Sequence, residues 1–271
     1  VISAAEGDDL HPQGRSTLLD HGKPTEDAFL LLHGLTASPG QWRPFAEHLF
    51  ARGFNVYVPR LPHHGLRDRM TGALEDLTAV QLATFAREAV SAARGLGERL
   101  TVIGFSVGGL LASWIAQYAP VERAVIVAPF LGSLLVPRTF APALSRLALR
   151  RRNRFVWWHP IRRESLMPEY GYPRFSTHAV AEALLLGEHL HKDAVTRAPR
   201  ARRIIFVVNN GETTIDNRAV RKLATTWSAH GADVRVRELR FPPSHDIIEY
   251  YENEAIAARA HAELRDILDL A

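Results

Sequence analysis

Short apolar runs alternate along the chain with windows in which apolar residues recur every three or four positions. AFLLLHG (28–34), FNVYVPR (54–60), LTVIGF (100–105), RAVIVAPF (123–130), RIIFVVNN (203–210) and DVRVREL (233–239) are rich in branched and aromatic residues and read as strands. STLLDHG (16–22) adds an edge strand. The windows at 41–53, 79–97, 107–120, 217–231 and 252–270 carry helical spacing, and most close on Gly or Pro. Strand–helix–strand alternation predicts an α/β protein, with a mostly parallel central sheet and helices on both faces.

One interval breaks this rhythm. From 131 to 202 there is no clear strand, only helix-like windows at 142–152 and 178–189 around a middle rich in Trp, Tyr and Pro. A bare loop of that length is uncommon in a compact domain. The expectation is a helical cap, 131–202, inserted after the sixth strand into a core made of 1–130 and 203–271.

Composition narrows the classes. With 271 residues, 46% of them apolar and 23% charged, the chain has the balance of a folded globular protein. No stretch approaches the ~18 consecutive apolar residues of a membrane span. The absence of cysteine excludes disulfides, thiolate metal sites and a cysteine nucleophile. Arginine carries nearly all the positive charge, Lys23, Lys192 and Lys222 being the only lysines, and a net charge of +4 is too modest to point to nucleic acid. Residues 1–10 have no basic start or apolar run, so a cytoplasmic protein is expected, with a removed leader left open because the sequence begins at Val1.

The candidate chemistry starts at Gly104-Phe105-Ser106-Val107-Gly108, a G-x-S-x-G pattern between an expected strand and an expected helix. A serine on so tight a turn takes strained dihedrals, and its flanks must lack a Cβ for the chains to pass. The turn lifts the hydroxyl off the sheet edge and points a helix N-terminus at it.

A serine hydroxyl needs a base to take its proton and a third group to orient that base. His245, in FPPSHDIIEYY after the last expected strand, is placed to be the base. Glu212, just past the strand before it, is the favoured acid. Asp216, at the start of the next helix, is the alternative, with helix capping as its other reading. An oxyanion requires two hydrogen-bond donors. The amide of Val107 follows the nucleophile, and that of Leu35 lies in the loop after the 28–34 strand.

For the substrate pocket the candidates are Trp42, Phe130, Trp157, Trp158 and Met167, with core packing an equal reading for Trp42. His63-His64 reads as a loop-shaping pair, with a metal site the weaker alternative. Glu188, His189 and His191 in GEHLHK resemble a ligand cluster, but an exposed helix end explains them equally well.

With these residues in place the chain resembles the α/β-hydrolase superfamily over about residues 29–268. LLHGLTASPGQW, PRLPHHGLRDR, VIGFSVGGLLA, NNGETTID and SHDII fall in that family's order of nucleophile, acid and histidine. The likeness is greatest to the carboxylesterase and monoacylglycerol-lipase branch, although His63-His64-Gly65 departs from its GHG. The resemblance implies the α/β-hydrolase fold and two-step hydrolysis of a small-molecule ester, short- to medium-chain or monoacylglycerol-like, through an acyl-enzyme. It implies no cofactor and no metal. Other serine hydrolases of the fold (thioesterase, lactonase, amidase, C–C hydrolase, perhydrolase) remain as alternatives, as does a non-catalytic receptor. Contact of the arginine-rich 149–163 stretch with an anionic lipid interface is a lesser expectation.

Overall fold

The structure, a computed structural model, describes residues 6–137, 139–249 and 253–270. Seven strands form one sheet: β1 (Thr17–Leu19), β2 (Thr25–Leu32), β3 (Asn55–Val58), β4 (Gly97–Phe105), β5 (Arg123–Val127), β8 (Arg203–Asn209) and β9 (Asp233–Leu239). Their spatial order is β1-β3-β2-β4-β5-β8-β9. Only β1 runs antiparallel, against β3; every other pair is parallel. This is the α/β-hydrolase fold. The inner strands read as unbroken apolar runs because both faces are covered. Val102, Ile103, Val125, Ile126, Phe206 and Val208 are all fully buried.

The covering helices are α1 (Arg43–Ala51), α2 (Ala79–Ala93), α3 (Val107–Tyr118), α6 (Asn217–Ala229) and α7 (Glu254–Ile267). Thr78 starts α2 with a capping box, its hydroxyl accepting from Gln81 and the Gln81 side chain accepting from the Thr78 amide. The periodicity at 79–97 expected helix to its end, yet β4 begins at Gly97. Pairing decides it: Gly97 lies opposite Thr25, where a Cβ would come within 2.9 Å of the Thr25 carbonyl oxygen.

The 131–202 segment departs from expectation in two ways. It contains α4 (Ala141–Leu149) and α5 (Thr177–Thr196) but also an antiparallel ribbon, β6 (Phe155–Trp157) with β7 (Arg174–Ser176), so it is not all helical. Strands of three residues are too short to show an alternation. It also follows β5, the fifth strand among the described residues rather than a sixth; the strands expected at 16–22, 28–34, 54–60, 100–105 and 123–130 themselves number five.

Polar groups tie this segment to the sheet's carboxyl edge. Arg69 donates to the carbonyls of Gly171 at 2.9 Å, Glu164 at 3.1 Å and Met167 at 3.0 Å. The Tyr172 hydroxyl accepts from the Leu66 amide at 3.0 Å and donates to the His63 carbonyl at 3.1 Å. Glu182 accepts from the Ala79 amide at the start of α2. Among the described residues no helix is long and apolar enough to cross a membrane.

Candidate active site

The chain reverses its direction of winding between β2 and β4, the crevice where open α/β sheets place their ligands. Ser106 stands there, at the end of β4, with φ 56° and ψ −114°. Side chains on either flank could not be accommodated. A Cβ on Gly108 would lie 2.0 Å from the Leu32 carbonyl oxygen, and one on Gly104 would lie 2.0 Å from that of Gly108. The Ser106 backbone is pinned from both sides, its amide donating to Val127 and its carbonyl accepting from Phe130 and Leu110. Such a dihedral costs about 1–3 kcal/mol and persists only where neighbours over-determine it.

The Ser106 hydroxyl lies 2.9 Å from His245 Nε2. His245 Nδ1 lies 3.0 and 3.1 Å from the two carboxylate oxygens of Glu212. Facing a carboxylate, Nδ1 carries the proton, so Nε2 accepts from the serine. The ring of Phe105 stacks on the imidazole at 5.2 Å. Glu212 Oε1 also accepts from the amides of Thr213 and Thr214 at 2.9 and 2.8 Å, which fixes the carboxylate independently of the histidine. Asp216 does not join this chain; it caps α6, accepting from the Arg218 amide at 2.9 Å.

A buried side chain that the sequence did not single out holds the acid and base loops together. Asn209 ends β8, accepts from the amides of Gly211 and Phe241, and donates to the carbonyl of Ser244 at 3.0 Å. Its neighbours in sequence are an apolar strand and a turn. Only its polarity at the last position of a buried strand could have marked it.

Leu35 and Val107 both line the cavity in front of Ser106. Val107 opens α3, so its amide has no partner four residues back within the helix. The Leu35 loop is built from buried polar groups. Gln41 accepts from the Gly34 amide at 2.8 Å. The Leu61 amide donates to His33 Nε2, leaving Nδ1 to donate to the Gly34 carbonyl. Thr36, at φ 66°, is held at three atoms. Its amide donates to His64 Nε2 at 3.4 Å, its carbonyl accepts from Tyr172 at 2.7 Å, and its hydroxyl accepts from the Trp158 indole at 2.8 Å. Burial keeps both imidazoles neutral: it pushes His33 well below the ordinary value and His64 down to about 4. His33 and His64 thus hold these loops, whereas His63, the other member of the expected His63-His64 pair, contributes its carbonyl, which accepts from the Tyr172 hydroxyl.

The cavity in front of Ser106 offers about 260 Å³ and is open to solvent on one side. Phe130, Trp158 and Met167 line it as expected, joined by Phe105 and Val180. Two expected pocket residues do not. Trp42 is fully buried in the core, its indole donating to the Leu32 carbonyl at 2.9 Å. Trp157 sits beneath the Arg163 guanidinium, 5.5 Å from its ring. Adjacent residues of an extended chain face opposite ways, so the ribbon that turns Trp158 into the cavity turns Trp157 out of it. In the GEHLHK stretch, Glu188 pairs with Lys192 at 2.7 Å and His189 lies 3.9 Å from Asp193, the contacts of a solvated helix face.

Comparison with known proteins agrees with this architecture. Over 97 residues, 34% of this chain, the sequence is 33% identical to a thermostable monoacylglycerol lipase of Bacillus sp. strain H-257, and the match spans only 35% of that relative's length. A solved structure from work on LipS and LipT, two metagenome-derived lipolytic enzymes, superposes with a TM-score of 0.70 at 19% identity, covering 95% of this chain and 99% of its own. The monoacylglycerol lipase of Paleococcus ferrophilus gives 0.69 at 18%, covering 93% and 97%. At such identities the likeness concerns the fold. The sequence profile of the alpha/beta hydrolase family matches residues 29–259, and the chain belongs to that family.

Proposed function

We propose that this protein is a serine carboxylic-ester hydrolase acting through an acyl-enzyme on short- to medium-chain or monoacylglycerol-like esters. The observation that carries the reading is the unbroken run of contacts from Ser106 through His245 to Glu212, at 2.9 and 3.0 Å, opening into a mostly apolar cavity. Ser106 attacks the ester carbonyl while Nε2 of His245 takes its proton, and Glu212 stabilises the imidazolium that forms. The amides of Leu35 and Val107 receive the oxyanion; losing one such donor typically costs about 3 kcal/mol of barrier lowering. His245 then protonates the departing alcohol and activates the water that frees the acid.

Cavity size supports the substrate range: about 260 Å³ is just below the roughly 300–1,000 Å³ of sites that take drug-sized ligands, which favours a short acyl chain with its ester group. In this reading residues 131–202 act as a cap over a core of 1–130 and 203–271, with Trp158 and Met167 supplying the pocket wall. The test is steady turnover of p-nitrophenyl esters from acetate to octanoate by the wild type and Ser106→Ala. Sustained hydrolysis that peaks at intermediate length and is lost in the variant is the expected result. A single burst without turnover, or undiminished activity in Ser106→Ala, overturns the proposal.

A further inference from the structure

The outward face of α4 is apolar where a surface helix is ordinarily polar. At about 100° per residue, Phe140, Leu144 and Leu147 share an arc of about 60°, and they are 61%, 45% and 48% exposed. The opposite face carries smaller groups: Ser145 is buried, Ala141 and Ala148 are half-buried, and α5 is the helix packed against α4. Of eleven large apolar residues exposed among the described ones, seven lie between Leu134 and Ile161, a concentration that scattered surface exposure does not produce. Charge is concentrated in the same place. Residues 131–163 hold eight arginines and no Asp, Glu or Lys. Arg150, Arg151, Arg152 and Arg154 follow the apolar stripe directly; all four are exposed, and their side chains have no hydrogen bond or ion pair among the described residues. The nearby carboxylates are engaged elsewhere. Glu188 pairs with Lys192 at 2.7 Å and reaches Arg146 only at 3.9 Å, and Glu75 accepts from Asn153 at 3.3 Å.

We propose that α4 and the arginines after it form a docking surface for an anionic lipid bilayer: Phe140, Leu144 and Leu147 enter the acyl boundary while the guanidinium groups meet the phosphate headgroups. A helix that lies in a membrane interface combines an apolar face with basic flanks in this way. Nucleic acid would use the arginines but gain nothing from the leucines. A second copy of this chain, meeting the first through the same face, would set arginine against arginine. The inference concerns this surface alone and does not require Ser106 to be catalytic.

The test is co-sedimentation with vesicles of mixed phosphatidylglycerol and phosphatidylcholine, compared with vesicles of phosphatidylcholine alone. The wild type should bind the anionic vesicles more tightly, and the preference should shrink at high salt. A basic residue at such a surface is worth roughly fivefold in affinity, so Arg150→Gln, Arg151→Gln and Arg152→Gln together should weaken binding about a hundredfold. The same charge removed from other elements, at Arg52, Arg87 and Arg218, should leave most of the affinity in place. Leu144→Ser with Leu147→Ser should release the protein from the vesicles at an unchanged Tm. No binding to the anionic vesicles, equal binding to both compositions, or equal losses in the two arginine triple variants overturns the proposal. So does a dimer in sedimentation velocity that forms without vesicle binding and that Leu144→Ser with Leu147→Ser dissociates, since the face then belongs to a second copy. None of these readouts involves ester turnover, so their failure leaves the hydrolase reading untouched.

Discussion

Replacing Glu212 by its amide is the sharpest test of the proposed chemistry, because the surroundings dictate how the new side chain must sit. Oε1 of Glu212 accepts from the amides of Thr213 and Thr214. In Glu212→Gln the remaining carbonyl oxygen must take that position, which places the new NH2 where Oε2 now lies, 3.1 Å from His245 Nδ1. Two N–H groups then face each other. The imidazole relieves this by moving its proton to Nε2 or by swinging away, and in either state it no longer accepts from Ser106. The negative charge that stabilises the imidazolium is lost as well. The corresponding acid-to-amide change in a Ser-His-Asp triad lowers kcat about ten-thousandfold, roughly 5.5 kcal/mol of barrier. We therefore expect Glu212→Gln to lose about three to four orders of magnitude in kcat. Asp216→Asn should stay within about twofold, since asparagine caps a helix as well as aspartate. The assay is steady-state hydrolysis of p-nitrophenyl butyrate, with thermal unfolding followed in parallel so that lost activity is not lost fold. Activity of Glu212→Gln within tenfold of the wild type, at an unchanged Tm, would refute the reasoning.

Three further outcomes follow from the same contacts. Asn209→Ala strands the buried amides of Gly211 and Phe241; at about 1–3 kcal/mol for each unsatisfied group, it should lower unfolding free energy by about 3 kcal/mol in urea titration, and a loss under 1 kcal/mol would count against the role assigned to it. Trp158→Phe keeps the ring but removes the hydrogen bond to Thr36; kcat/KM for short esters should fall about tenfold, whereas an unchanged value would show that the Leu35 loop holds its shape without that contact. Stability should also fall on acidification. His64 and His261, both buried and held down to about 4, gain protons more readily unfolded than folded. Their contribution is complete above about pH 6.5 and is lost as pH falls toward 4, roughly 2 kcal/mol for each by pH 5. A urea midpoint constant from pH 7 to 5 would contradict this.

The parts of the site that could be read from the sequence are those in which backbone crowding leaves few choices. Around Ser106, contacts of 2.0 Å would arise from any side chain at Gly104 or Gly108, so the glycines announce the turn. The turn announces a hydroxyl lifted off the sheet into the cavity, and the order of strands places His245 and Glu212 at the same sheet edge. Asp216 stayed an alternative because both acids follow β8 closely; only the turn at 209–212, fixed by Asn209, aims one of them at the imidazole. The pocket wall was less legible. Trp42, Trp157 and Trp158 are equivalent as letters, and which of them lines the cavity depends on how the turn before α1 docks and on the pleat of a three-residue strand.

The same distinction bears on how the 131–202 segment contributes. Thr36 is 122 residues from Trp158 in sequence, yet its positive φ is held by that indole, by the Tyr172 amide and by His64 together. A β-branched residue in the left-handed region is a strained choice and stays there only when several partners oppose relaxation. Two of the three partners come from the 131–202 segment. Without those two partners Thr36 would lose most of what opposes its relaxation, so the backbone next to Leu35, the proposed oxyanion donor, takes its direction from side chains more than a hundred residues away.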